Sequence, residues 1–111
     1  MKDLSQYVIS ETTTILDAAS LIERNETRTV LTLNGSGRVV GVFTSGDLLR
    51  AILKGVDVHT PLSNVQILSF KFLKERNLEE ARKLFKRGIM LIPIVNDEFI
   101  LQDVITLFEI L

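Results

Sequence analysis

The sequence predicts an α+β fold in which two β-α-β-β-α repeats pack about a pseudo-twofold axis. Three observations carry that expectation. First, Val30 to Leu49 lies over Ile92 to Leu111 at a constant offset of 62 residues without a gap, and apolar positions fall on apolar positions. Second, a 3.6-residue apolar period alternates with short β-branched runs in the same order in both copies. Third, a chain of 111 residues leaves roughly 55 per copy, too few to bury a comfortable core alone, so the halves are expected to close against each other.

The alignment is specific. Asn34, Val42, Thr44 and Leu49 meet Asn96, Val104, Thr106 and Leu111 identically, while Phe43, Asp47 and Leu48 meet Ile105, Glu109 and Ile110. Upstream the offset becomes 63, as if one loop residue were deleted: Ile15, Asp17, Ala18, Leu21 and Ile22 match Leu78, Glu80, Ala81, Leu84 and Phe85.

Taken in order, Ile15, Ala18, Ala19 and Ile22 follow one helical face, and Thr14 with Asp17 three residues on resembles a capping box, which predicts a helix over 15–24. Thr29 to Leu33, the turn Asn34-Gly35-Ser36-Gly37 and the run from Arg38 to Thr44 read as a hairpin. Ser45-Gly46-Asp47 leads into a helix over 48–53 that Lys54-Gly55 ends. A short helical turn is expected over 61–65, then a strand over 71–73. Asn77 and Glu80 start the next helix, Gly88 stops it, and the runs 89–95 and 99–106 repeat the hairpin around Asn96-Asp97-Glu98. Pro93 is expected where its missing donor faces no ladder partner. The boundaries are 1–65 for the first repeat with its connector and 66–111 for the second. Leu111 lies two residues past Glu109, where the first repeat still continues with Arg50 to Leu53, so the second repeat is expected to be cut off from a longer protein.

Composition excludes several function classes. Thirteen basic against fourteen acidic residues give a net charge of −1, so no overall positive field draws the chain to nucleic acid or to an anionic membrane, and neither is expected as a partner. Zero cysteines exclude a disulfide scaffold, thiolate catalysis and cysteine-ligated zinc, and they fit a reducing, cytoplasmic location. No uncharged apolar run of about 18 residues occurs, and Met1 to Tyr7 has no apolar signal core. The single histidine, His59, has no second histidine to complete a metal set and reads as a connector residue. Lys74, Arg76, Arg82, Lys83, Lys86 and Arg87 are interleaved with Glu75, Glu79 and Glu80, including a Glu79 to Lys83 spacing of four, which predicts a solvated helix face.

Chemistry concentrates after the first hairpin. There Thr44 ends a strand, Ser45 is placed to cap the next helix, and the helix N-terminus offers amides and partial positive charge to a phosphate. Gly46 keeps that approach open, and Asp47 presents two acceptors. The alternative is purely structural: Thr44-Ser45 is an ordinary helix start, and an acid in the first turn stabilises a helix by about 0.3–1 kcal/mol without any ligand. In the second copy Leu107 and Phe108 replace Ser45 and Gly46, so loss of the cap and a crowded phosphate route are expected there.

The tandem repeat with Gly41-Val42-Phe43-Thr44-Ser45-Gly46-Asp47 resembles a pair of CBS domains, the regulatory Bateman module. The family's signature is a glycine, two hydrophobics, Thr or Ser, two free positions and Asp. Gly41, Val42, Phe43, Thr44 and Asp47 meet it, whereas Asp103, Val104, Ile105, Thr106 and Glu109 meet it partly. The resemblance implies that an AMP-, ADP- or ATP-type ligand binds at a repeat interface, with no cofactor required, and that Asp47 takes the ribose diol. It implies ligand contacts from Gly41, Val42, Thr44, Ser45, Asp47, Thr106 and Glu109. Arg28 is added as a basic phosphate contact serving the opposite crevice, with a solvated strand-edge arginine as its alternative; Met90 is its second-repeat counterpart. The wording Phe43 to Ala51, with Leu53-Lys54-Gly55 and Thr60-Pro61, is similar to CBS pairs attached to sugar-phosphate nucleotidyltransferases of the mannose-1-phosphate guanylyltransferase kind and to those of arabinose-5-phosphate isomerases. Asp103 and the nearness of Met1 to the first repeat favour the former. The nucleotidyltransferases' glycine-rich catalytic signature is absent from these residues, so a regulatory module without catalysis is expected, pairing as a homodimer and acting on a host catalytic domain. A ligand-free dimerisation module is the competing reading.

Overall fold

In the computed structural model, which describes residues 3–111, eight helices and strands alternate in two similar series. Met1 and Lys2, which the reading of the N-terminus includes, lie outside the described residues. A single turn over Leu4–Tyr7 precedes β1 (Val8–Ser10), α1 (Ile15–Arg24), β2 (Thr29–Leu33), β3 (Val39–Thr44) and α2 (Ser45–Leu53). After a turn at Leu62–Asn64 come α3 (Leu78–Phe85), β4 (Leu91–Val95), β5 (Leu101–Thr106) and a closing 3-10 turn, Leu107–Ile110. β1 runs parallel to β2 and β2 antiparallel to β3, while β4 and β5 form the second hairpin.

The duplication is visible residue by residue. Val30 faces Phe43 as Ile92 faces Ile105, and the register slips between Thr32 and Leu33 as it does between Ile94 and Val95. Asn34 Oδ1 accepts the amides of Ser36 and Arg38, and Asn96 Oδ1 those of Glu98 and Ile100. An asparagine recurs here because its side chain organises the turn that its own backbone begins. Arg38 pairs with Ile100, its own counterpart 62 residues on, which is what a twofold axis between the hairpins requires.

Helix starts explain themselves. Thr14 and Asp17 form the expected reciprocal box, and hydrogen bonds from the Thr14 amide and hydroxyl hold the Asp17 carboxyl below the usual carboxylate range. Asn77 accepts the Glu80 amide at the start of α3, and Gly88, at φ 91°, receives the chain beyond its end.

Four expectations need correction. Residues 71–73 do not make a strand: Leu73 alone bridges Ile94, donating to the Pro93 carbonyl at 3.0 Å, so the proline enters the ladder as an acceptor. β4 begins at Leu91 rather than 89, after Gly88 has turned the chain. β5 begins at Leu101 rather than 99, because Phe99 takes the left-handed position (φ 63°) that Gly37 holds in the first hairpin. Phe99 packs edge-on against Phe70 and Phe72, with Lys74 over its ring, contacts that offset the backbone strain. On α3, Lys83 pairs with Glu80 at 3.1 Å in place of Glu79.

Three apolar clusters fill the interior. One lies under α1 and α2 (Ile15, Ala18, Ile22, Val30, Phe43, Ala51, Leu62) and one under α3 (Ala81, Phe85, Ile92, Ile94, Ile105). Between them Tyr7, Leu31 and Val39 meet Leu91, Val95 and Val104, so both copies build the central cluster. Among the described residues no helix is long and apolar enough to cross a membrane.

Candidate functional site

At the junction of β3 and α2, Thr44 is the helix cap. Its hydroxyl accepts the Asp47 amide at 3.2 Å, while Asp47 Oδ2 accepts the amide and the hydroxyl of Thr44, both at 2.9 Å. Ser45, expected as the cap, is instead the first helical residue. A capping box needs an acceptor three residues on; Thr44 has Asp47 there, and Ser45 has Leu48. The Ser45 amide donates to the Arg28 carbonyl at 3.0 Å, tying the helix start to the corner before β2.

That corner is built by Asn25, which is buried. Its amide nitrogen donates to the carbonyls of Gln6 and Thr29 at 2.9 Å, and its oxygen accepts the Thr27 hydroxyl, also at 2.9 Å. The network holds Arg28 in the left-handed region at φ 55°.

A cavity of about 400 Å³ opens between the two copies at this point. Thr27, Arg28, Thr29, Val42, Thr44, Ser45 and Gly46 form one wall, and Ser69, Phe70, Lys71 and residues 88–91 form the other. Its charged lining residues are Arg28 and Lys71, and the N-terminal turn of α2 adds the positive end of a helix dipole. Phe70, Ile89, Met90 and Leu91 supply an apolar floor suited to a flat ring. Of the residues expected to bind, Arg28, Val42, Thr44 and Ser45 come together here, while Gly41, Asp47, Thr106 and Glu109 do not line it. Phe70 and Lys71 belong to no motif and went unnamed as contacts in the sequence; the available signal was that both crevices take residues from both copies.

Asp47 does not reach the cavity: Oδ2 is turned back onto Thr44, and Arg50 lies on Oδ1. The Asp47 side chain is 11% exposed, and Oδ1 accepts Arg50 Nη2 at 2.7 Å.

The second copy keeps its cap, against expectation. Glu109 Oε1 accepts the Thr106 amide at 2.7 Å, and Thr106 Oγ1 accepts the Glu109 amide at 3.3 Å. The box uses only its first and fourth positions, so Leu107 and Phe108 between them leave it intact. Arg76, exposed just before α3, donates to Glu109 Oε2 at 2.9 Å and lies 3.6 Å from Asp103. Burial pushes the nearby Tyr7 phenol up, and the charges of Glu26 and Glu109 push it further.

Gly41 serves packing. A Cβ there would lie 3.0 Å from the Ile67 carbonyl oxygen and 3.0 Å from Thr32 Oγ1. Val42 and Ile67 exchange amide-to-carbonyl bonds of 3.0 and 2.8 Å beside it, so the chain after α2 docks only because Gly41 has no side chain. Gly41→Ala is expected to cost about 1–3 kcal/mol by overpacking, read as a lower melting temperature. An unchanged melting temperature would show that the Ile67 segment can yield.

His59 is exposed on the connector, and among the described residues no cluster of three His, Asp or Glu is placed to hold a metal.

Comparison with known proteins agrees with this architecture. Residues 2–54 match the CBS domain family. An uncharacterised protein of Helicobacter pylori is 33% identical over 100% of this chain, which spans 36% of that relative's length. A CBS domain protein from Pyrobaculum aerophilum complexed with AMP superimposes with a TM-score of 0.76 at 22% identity, over 93% of this chain and 81% of that one. The CBS domain pair of protein MJ0100, in complex with 5-methylthioadenosine and S-adenosyl-L-methionine, also gives 0.76 at 18% identity, over 94% and 83%. The first repeat thus matches the CBS domain family over residues 2–54, and the chain as a whole has the fold of a CBS domain pair.

Proposed function

We propose that this chain is a regulatory module that binds one adenosine nucleotide in the cavity between its repeats and biases the geometry of a larger enzyme. The observation that carries the reading is the cavity wall itself: Arg28, Lys71 and the first turn of α2 converge on one side of an apolar floor. The AMP complex of the Pyrobaculum protein and the methylthioadenosine complex of MJ0100 support an adenosine ligand. Two cations favour a phosphorylated nucleoside of the AMP, ADP or ATP kind over S-adenosylmethionine, whose sulfonium is itself positive. The wording of the motif from Phe43 to Ala51, together with Asp103, supports a sugar-phosphate nucleotidyltransferase as the host. Leu16, Leu49, Ile52 and Leu53 are exposed on α1 and α2, which supports pairing of two copies through that face.

Calorimetric titration with AMP, ATP, GTP and S-adenosylmethionine tests the reading. Adenosine nucleotides are expected to bind at one per chain, more weakly as salt rises, and to raise the melting temperature, by about 2.7 kcal/mol of stabilisation at a hundredfold excess over Kd. No heat and no thermal shift with any nucleotide would favour the ligand-free dimerisation module.

A further inference from the structure

We propose that Arg50 is a latch on the ligand site: in the free chain it occupies the one carboxylate oxygen of Asp47 that a ribose could use, and a nucleotide has to displace it. The inference rests on the nucleotide reading above and concerns how that site is regulated.

Asp47 Oδ2 is committed to the helix start, accepting two hydrogen bonds from Thr44. Oδ1 is what remains for a diol, and Arg50 Nη2 sits on it at 2.7 Å. The guanidinium also lies against Gly46, where a Cβ would meet Nη2 at 3.3 Å and Nη1 at 3.4 Å. It thus screens the first turn of α2 as well as the carboxylate, and the cavity wall runs along Thr44, Ser45 and Gly46 without reaching Asp47. The latch is built to open. Arg50 is 63% exposed, one turn along the same helix, and its hydrogen bond is made to Asp47, which is 11% exposed, so swinging the arginine outward returns the guanidinium to water and leaves the carboxylate to the diol. The second copy differs: its carboxylate is paired by Arg76, from before α3, which also lies against Asp103. An arginine anchored on two acids is harder to displace than one held by a single acid.

Adenosine is the diagnostic probe, because it carries the diol but no phosphate that a released Arg50 could attract. Arg50→Met keeps the stem on the helix and removes the charge. Its adenosine affinity is expected to rise about twofold to fivefold, the worth of an ion pair open to water on its arginine side, with Arg50→Lys in between. Calorimetry on the 111-residue chain, with AMP titrated in parallel and circular dichroism to confirm folding, separates the outcomes. Tighter adenosine binding by Arg50→Met, or binding by that variant alone, supports the latch. Unchanged or weaker adenosine binding while the unmutated chain still binds AMP overturns the latch and leaves the nucleotide reading standing. If no chain binds either compound, both fall.

Discussion

Asp47→Asn is expected to weaken AMP binding by about tenfold to over a hundredfold, equivalent to the roughly 1.5–3 kcal/mol of a hydrogen bond to a charged group. A ribose diol brings two donors. Oδ1, with two lone pairs, accepts from the diol once Arg50 moves, whereas an asparagine whose oxygen stays with Thr44 turns an NH2 toward the hydroxyls. The helix start survives in part, since the asparagine oxygen still accepts the Thr44 amide that Asp47 Oδ2 accepts at 2.9 Å. What is lost is the negative charge in the first turn, worth about 0.3–1 kcal/mol. Melting curves must therefore accompany the titrations. Glu109→Gln is the control: none of Thr106, Leu107, Phe108 or Glu109 lines the cavity, whereas Asp47 directly follows its wall residues Thr44, Ser45 and Gly46, so AMP affinity is expected to hold at Glu109→Gln while stability falls with the Arg76 pair. Equal losses at the two positions would reject the first-repeat assignment and leave Asp47 with the capping role alone.

Sequence reasoning reached the helices and hairpins because their signals are local. Thr14-Asp17 and Asn77-Glu80 announce helix starts by spacing alone, and Asn34 and Asn96 announce turns by the bonds their side chains make. It misread residues whose conformation is decided from far away in the chain. Leu73 is held by Pro93 and Val95, some twenty positions on, and its flanks have no partner strand to lengthen the bridge. Phe99 reads as a strand residue by propensity, yet the turn geometry that its counterpart Gly37 adopts freely is imposed on it by the aromatic packing around it. At the site, Thr44, Ser45 and Arg28 were legible from the motif and the repeat. The side on which Arg50 lies was not, because a pair three residues apart on an exposed helix face could as well point to solvent. Nor was the absence of Gly41 and Asp47 from the cavity wall, since Gly41 lies against Ile67 and the Asp47 carboxylate is turned onto Thr44 and Arg50.

Leu31→Ala is expected to unfold both repeats together. Leu31 is fully buried in the middle strand of its sheet, opposite Val8 on one side and Val42 on the other, and it packs in the cluster that Leu91, Val95 and Val104 enter from the second copy. Truncating a buried leucine costs about 2–5 kcal/mol, and a domain of this kind is stable by only about 5–15 kcal/mol in all. The melting temperature is expected to fall by roughly 10–25 °C. The location of the loss matters as much as its size. Each repeat alone has a thin core, five residues in the case of the cluster under α3, so the second copy depends on the shared cluster to stay folded. Urea denaturation followed by hydrogen exchange checks this: one cooperative transition at lower urea with an unchanged slope, and amides of β4 and β5 losing protection along with those of β2 and β3. Retained protection in β4 and β5 alone, or a second transition at higher urea, would mean that the repeats fold independently. The cavity between them would then be a gap between two separate domains whose width the ligand has to set, with Arg28 and Lys71 brought together only on binding.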